Sequence, residues 1–527
     1  MEQRLQSSTF SEQECYDAVQ GHSLPLNLGN DVVRLCVISG IRHHLSFALS
    51  PGISELCLVE GQEVFARARN ARLIMSGILP SHEQMKGRHL QPYCIWYPDV
   101  ASEDTYQRLF LRFPDLKYQV GRACAVGDYN QLYQELGLLP DISIAEEARG
   151  VPGDPGSSEI FRQIMNAPVR YNIMHDYTRE IDMGAEPGAQ LNGDTITIAA
   201  LAHRQKYEED FPLHQYFNIT EDGAIDNETI RLDSAKLTED ETALFNSPLP
   251  FNLPTMHKDL LILMAAYEGN VDRYVRLRRP FKISREFACL VRGIYHSTTM
   301  ANYLSSNPHA VESLKLHQSE VRIFQRAINA RKIMNNSIFH LIDSDFDVPT
   351  DELPYWIWYP TIPSSYTLVR IAEAKPTMRP QCARASIAAG YKGAYLNIMN
   401  MGAPDKPLPV DYFLMMEASQ CPEQNFFLPD LERRKTEQGL GFLPMVEDDY
   451  WKETLPWRTG DPSSTELPGY LLDGGISLHS GQDGGMYEGL GVDAGSVLLF
   501  LSSSKEERAR AYRCPGHVLL LEDHTLQ

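Results

Sequence analysis

The sequence predicts a mainly α-helical protein, made of two duplicated stacks of helical hairpins and a mixed C-terminal appendage rich in proline and glycine. The first observation is that residues 92–98 (PYCIWYP) return as residues 354–360 (PYWIWYP), where only Cys94 is exchanged, for Trp356. Two flanking blocks recur in the same order: residues 70–75 as 329–334, and residues 119–125 as 381–387. Self-similarity of this kind dictates architecture. We therefore interpret the chain as a duplication.

The spacing of apolar residues predicts short helices in the first half. The clearest helix is expected over residues 62–75, and a helix–break–helix pattern is expected before it, with Gly40 at the break. Ser102 has the character of an N-cap, because acidic residues follow it. Further helices are predicted over residues 102–113, 118–126, 130–136 and 159–166.

The second half shows the repeating unit more openly. Residues 259–274 (DLLILMAAYEGNVDRY) have the form of a helix, a glycine and a second helix. The small pair Ala265 and Ala266 lets helices approach closely, and Gly269 supplies a turn that a bulky residue would strain. Residues 123–129 and 385–391 repeat this core in each half.

This pattern resembles the ankyrin repeat family in a divergent form, over roughly residues 33–140 and 257–402. With the block at 92–98 and 354–360, the chain is also similar to filamentous-fungal proteins. Among these are the ankyrin-domain transcription coregulators associated with secondary-metabolite genes. The Thr-Pro-Leu-His opening of ankyrin repeats is not present, which departs from the family's pattern.

The resemblance implies stacked helical hairpins that bury a continuous core and leave an extended surface for partners. It implies a protein–protein interaction scaffold, with a transcription factor as a candidate partner and a coregulator role in secondary metabolite biosynthesis. The alternative is an enzyme of unrecognised class, with its site between the helical repeats and the C-terminal tail.

Composition shifts divide the chain into five segments. They are a polar lead-in (1–30), a first ankyrin-like unit (31–145), a linker and middle segment (146–256), a second ankyrin-like unit (257–405) and a Pro/Gly-rich tail with short strands (406–527). The prolines after residue 404 predict a largely irregular start to that tail. Strands are expected at 496–501 and 518–521, whereas residues 195–202 fit a strand or a buried helix equally well.

Charge and cysteine usage exclude several classes of function. The net charge is −21, which argues against nucleic-acid binding and against attachment to anionic membrane, because both need clustered Lys and Arg. The nine cysteines are spread singly, which is typical of free thiols in a reducing compartment. No apolar run is long enough to span a bilayer. We expect a cytoplasmic or nuclear protein without direct nucleic-acid or membrane partners.

No sequence motif for catalysis or for a cofactor stands out. The glycine cluster at 484–491 lacks the Lys-Ser/Thr end of a phosphate-binding loop. Residues 343–347 (DSDFD) lack the central glycine of a calcium loop. There is no HExxH and no GxSxG. We therefore expect no catalytic residue, no cofactor and no metal.

The duplicated aromatic blocks are the candidate partner-binding residues. Aromatic side chains are favoured as anchors at protein interfaces. The alternative is a structural role in the core or at a hinge. The candidates are Tyr93, Trp96, Tyr97, Tyr355, Trp358 and Tyr359.

Overall fold

The computed structural model describes residues 1–192 and 243–441 apart from short gaps. The gaps are Phe10, 151–157, Tyr177, 245–246, 255–257, 280–281, 284–285, 344–347, Tyr355, Tyr359 and 403–406. The described part is mainly helical, as predicted. The chain divides into two compact units: unit 1 comprises Met1–Leu232 and Asn246–Lys258, and unit 2 comprises Asp233–Phe245 and Asp259–Gln527.

Unit 1 is a succession of short helices followed by a small hairpin. The helices are α1 (Glu2–Gln6), α2 (Glu12–Val19), α3 (Asp31–His43), α4 (Leu45–Ala48), α5 (Pro51–Leu56), α6 (Glu63–Met75), α7 (Glu103–Arg112), α8 (Lys117–Gly127), α9 (Asn130–Leu136), α10 (Ile142–Arg149) and α11 (Glu159–Met165). Strands β1 (Met174–His175) and β2 (Glu180–Ile181) pair antiparallel, with Met174 opposite Ile181. The first helices share one hydrophobic cluster, and the chain from Ile74 to Leu191 builds a second one.

Unit 2 contains a similar succession of helices. They are α12 (Asp259–Glu268), α13 (Val271–Leu277), α14 (Glu286–His296), α15 (Thr298–Ser306), α16 (Pro308–Glu312), α17 (Gln318–Met334), α18 (Phe339–Ile342), α19 (Ser365–Ala374), α20 (Arg379–Ala388), α21 (Lys392–Met399), α22 (Tyr412–Gln420) and α23 (Gln424–Glu437). No described helix of either unit is both long enough and apolar enough to cross a membrane.

Local details recur between the units at equivalent positions. The predicted N-cap is confirmed, because the Ser102 hydroxyl accepts a hydrogen bond from the Thr105 amide, at 3.3 Å. Ser364 caps α19 in the same way, through the Thr367 amide at 3.2 Å. A 3-10 turn precedes the next helix in both units, at Pro114–Leu116 and at Pro376–Met378.

The expected break at Gly40 is wrong, because α3 runs through this residue to His43. The reason for the glycine is a neighbouring helix: a Cβ at Gly40 would lie 1.8 Å from the carbonyl oxygen of Ala18. Unit 2 repeats this contact, where a Cβ at Gly293 would lie 2.0 Å from the carbonyl oxygen of Ala266. These glycines let α2 meet α3, and α12 meet α14, backbone to backbone.

The predicted turn at Gly269 is confirmed, since this residue lies between α12 and α13 with φ +68°. Unit 1 has a left-handed glycine after the equivalent helix, Gly21, with φ +70°. The interval to the next packing glycine is longer in unit 2, and it contains α13. Residues 20–30 of unit 1 contain no helix.

The prediction of irregular chain after residue 404 is wrong for 412–437, which form α22 and α23. The apolar spacing explains these helices, because the buried Leu414 and Ala418 lie four residues apart, as do Phe427 and Leu431. Of the prolines in this stretch, Pro429 alone lies inside a described helix. The other prolines of this stretch lie between helices, and they do not prevent α22 and α23 from forming.

Several sequence predictions fall outside the described residues. They are residues 151–157 of the linker and middle segment, the ambiguous segment at 195–202, residues 344–347 of the stretch 343–347, the glycine cluster at 484–491 and the strands expected at 496–501 and 518–521.

Candidate interaction site

The structure places the described aromatic candidates largely inside the fold. Tyr93 is 5% exposed, Trp96 1% and Trp358 3%, and Tyr97 is half-buried. Tyr355 and Tyr359 lie outside the described residues. Tyr93, Trp96 and Trp358 make contacts within their own unit.

Residues 92–98 are irregular, so their buried carbonyl groups need partners from side chains. Arg42 supplies two, because its guanidinium donates to the carbonyl oxygens of Cys94 at 3.0 Å and of Tyr97 at 2.7 Å. The Tyr106 hydroxyl donates to the carbonyl oxygen of Ile95 at 2.7 Å. The segment is thus fixed by helices α3 and α7.

A fully buried charge cluster lies against this segment. The Arg122 guanidinium donates to Glu147 at 2.8 Å and makes a double contact with Asp176, in which Nη2 is 2.8 Å from Oδ2. It also lies 4.8 Å from the ring centroid of Trp96. The Tyr93 hydroxyl donates to Asp176 at 2.7 Å, and burial together with this carboxylate raises the pKa of Tyr93. The cluster ties α8, α10 and the β1–β2 turn to the aromatic block.

Unit 2 contains the equivalent pair. Arg384 Nε donates to Glu417 at 2.9 Å, and both side chains are completely buried. The Arg384 guanidinium lies 5.0 Å from the centroid of Trp358 and 5.3 Å from that of Phe413. The duplicated Trp therefore serves in each unit as the face on which a buried arginine rests.

Sequence reasoning missed both arginines and their carboxylates. The signal was present, because Arg122 and Arg384 fall at the same position of the recurring blocks 119–125 and 381–387. A fainter recurrence surrounds Asp176, since residues 176–180 (DYTRE) return in part as 449–453 (DYWKE), outside the described residues.

Asp141 is another buried carboxylate that organises unit 1. It accepts hydrogen bonds from the amides of Ser143 and Ile144 at the start of α10, at 2.9 and 3.1 Å. It also accepts from Ile173 and Met174, at 2.6 and 3.0 Å. Burial raises its pKa to about 6. These contacts give Asp141 a structural task, which is to join a helix start to strand β1.

An open groove of about 470 Å³ lies at the surface of unit 2, where α13 ends beside α15 and α16. Its lining residues are Val275, Arg278, Tyr303, Ser306, Asn307, Pro308, His309 and Ala310. Because Tyr274 and Leu277 are the buried residues of α13, Val275 and Arg278 occupy an adjacent face, three residues apart. Val275 is 46% exposed.

The groove has one permanently charged lining residue, Arg278, on an otherwise neutral and partly apolar wall. The Arg278 guanidinium lies 5.7 Å from the ring centroid of Tyr274 and donates to the Ser313 hydroxyl, so its position is fixed. Behind the groove, the Tyr274 hydroxyl donates to the buried Glu286, at 2.5 Å. Burial raises the pKa of Glu286. At the rim, His309 lies 3.3 Å from Glu312.

The groove residues combine an apolar wall, a fixed cation and open access, which suits recognition of a partner's side chains. The family model described as "YKP1 C-terminal domain" matches residues 96–199, a stretch that includes Trp96, Arg122 and Asp176. No curated protein and no solved structure matches the chain.

Proposed function

We propose that this protein is a non-enzymatic protein–protein interaction scaffold. In this proposal, two duplicated helical units stack their hairpins in an ankyrin-like manner and offer their outer surfaces to partners. The recurrence of the helix order, the caps and the packing glycines in both units supports the duplicated arrangement.

The observation that carries the proposal is the open groove of unit 2. It presents Val275, Tyr303 and Pro308 as an apolar surface beside the fixed charge of Arg278. Such a combination is typical of protein interfaces, where arginine and aromatic residues contribute most of the binding energy. The buried charge clusters, by contrast, are occupied by contacts within their own units.

The resemblance of the repeated blocks to ankyrin-domain coregulators supports a role in transcription. We propose a protein partner such as a transcription factor, in the cytoplasm or the nucleus, and regulation of a secondary-metabolite pathway. The protein acts in this proposal through that partner, without direct contact to nucleic acid.

Proximity labelling of the full chain in a filamentous fungus tests the proposal. Candidate partners are then purified and titrated against the purified chain by calorimetry. We expect at least one partner that binds with a micromolar or lower dissociation constant. The proposal fails if no labelled protein binds the purified chain.

A further inference from the structure

We propose that the groove of unit 2 binds a linear acidic peptide segment of a partner protein, with a carboxylate on Arg278 and an apolar side chain over Val275 and Tyr303. This inference rests on the proposed function and names the partner's chemistry. Helix α13 supplies Val275 and precedes Arg278, whereas residues 20–30, the equivalent stretch of unit 1, form no helix. The two units therefore differ at this position.

The apolar part of the groove requires an apolar side chain. Val275 is 46% exposed, and Tyr303 and Pro308 complete a wall of low polarity. A volume of about 470 Å³ is within the range of sites that enclose a small ligand or a few side chains. The exposed Ser306 and Asn307 line the same groove and can hydrogen-bond to an extended backbone.

The charged part of the groove requires an acidic group. A guanidinium binds a carboxylate through two parallel hydrogen bonds, which a single-point ammonium cannot do. Arg278 is held against Tyr274 and Ser313, so little conformational entropy is lost when it binds. The neighbouring Arg273 and Arg276 of α13 add positive charge.

Charge complementarity gives this site its selectivity. The chain has a net charge of −21, so an acidic partner is repelled by the molecule as a whole. An arginine-rich helix end is then the place where an acidic segment can dock, and it fixes the segment's register. A basic segment meets like charge at Arg278. Duplex DNA would need several phosphate contacts for useful affinity.

Selection from a display library of random 12-residue peptides on the purified full chain tests the proposal. We expect the enriched peptides to contain Asp or Glu within a few positions of a large apolar residue. Synthetic copies of two such peptides, together with copies that carry Asn and Gln in place of the acids, are then titrated by fluorescence anisotropy. We expect the neutral copies to bind at least about ten-fold more weakly, as for loss of a hydrogen bond to a charged group.

Two variants test whether the peptides bind in the groove. R278E reverses the charge, and V275E adds a negative charge at an exposed position with little risk to folding. Both substitutions are expected to lower the affinity for the acidic peptides by a factor of about ten or more. The matched control is R370E, since Arg370 is 45% exposed on α19 and forms an ion pair with the equally exposed Glu373. R370E should leave the dissociation constant within about two-fold of the wild-type value, because a change at an exposed charge has a small effect.

The possible results distinguish the groove proposal from the scaffold proposal. Enrichment of basic peptides, or acidic peptides that bind V275E and R278E as tightly as the wild type, overturns the groove proposal. If a natural partner binds the chain and V275E leaves its affinity unchanged, the scaffold proposal stands and the groove proposal falls. The circular dichroism of V275E is compared with that of the wild type. Where the two spectra agree, a change in peptide binding reports on the groove and not on misfolding.

Discussion

At the scale of single residues, the buried Arg122 cluster determines how unit 1 holds together. One guanidinium faces two carboxylates, Glu147 and Asp176, and all three side chains are fully buried. Taking such ions out of water is costly, and the cost is offset only while every partner is present. The cluster therefore makes the position of the β1–β2 turn dependent on α8 and α10.

Replacing Arg122 with leucine should lower the free energy of unfolding by about 3–5 kcal/mol, because two buried carboxylates lose the cation that contacts both of them. The change is measured by urea denaturation followed by circular dichroism. R108L is the control, since Arg108 pairs with Asp104 at the surface and should change stability by less than about 1 kcal/mol. Equal effects of the two substitutions would contradict the prediction.

The raised pKa of Asp141, about 6, predicts a pH dependence of stability. The folded state binds a proton more tightly than the unfolded state does, so this group's contribution to stability falls as pH rises from about 4 to about 6. The stability difference between wild type and D141N should therefore narrow between pH 4.5 and pH 7. Denaturation curves of both proteins at the two pH values provide the measurement. A stability difference that widens as pH rises would contradict the prediction.

The sequence directs attention to aromatic residues because they are rare and repeated, but it does not show whether they are buried. This repetition points to Trp96 and Trp358, but not to the arginines that lie over their rings. The partners of Arg122 are 25 and 54 positions away, so no local spacing reveals them. The groove was missed for the same reason, because its lining comes from separate helices.

At the scale of elements, the close contact between α12 and α14 depends on Gly293. Sequence reasoning treats a glycine inside a helical pattern as a break, since glycine weakens helices. The structure resolves the conflict in favour of packing, because the neighbouring carbonyl leaves no space for a Cβ. Helix boundaries elsewhere follow the sequence closely, as at Asn130–Leu136, which ends at Gly137 in the left-handed conformation.

G293A should destabilise the protein by about 1–3 kcal/mol or more, because the new Cβ overlaps the Ala266 carbonyl oxygen and must displace backbone. G393A is the matched control, since Gly393 lies in helix α21 and a Cβ there meets no atom within 4 Å. This control should stabilise the protein by about 1 kcal/mol, the difference in helix propensity. Thermal denaturation of both variants checks the opposite signs.

At the scale of the whole molecule, the described parts of the two units share features at the positions of the recurring blocks and differ at α13. Each unit repeats the same packing glycines and the same buried arginine. The repeated blocks alone predict two similar helical units, and the stacking of hairpins within each unit stays a prediction. The sequence does not predict α22 and α23, because proline content obscures their four-residue apolar spacing.

The net charge of −21 predicts that the protein does not bind duplex DNA directly. Non-specific affinity comes from basic side chains that release counterions, and here acidic residues outnumber basic ones by 69 to 48. A gel-shift titration at low and at physiological salt should show no micromolar binding. Binding that weakens steeply with added salt would reveal a basic surface and contradict the prediction.

The burial of Trp96 beneath a guanidinium also has an optical consequence. The sequence of unit 1 contains no other tryptophan, while unit 2 contains Trp356, Trp358, Trp451 and Trp457. Indole emission shifts to longer wavelength when the ring meets water, so Trp96 reports on the opening of its own unit. Subtracting the emission of a W96F variant from that of the wild type isolates this signal, so that the unfolding of unit 1 can be followed apart from that of unit 2.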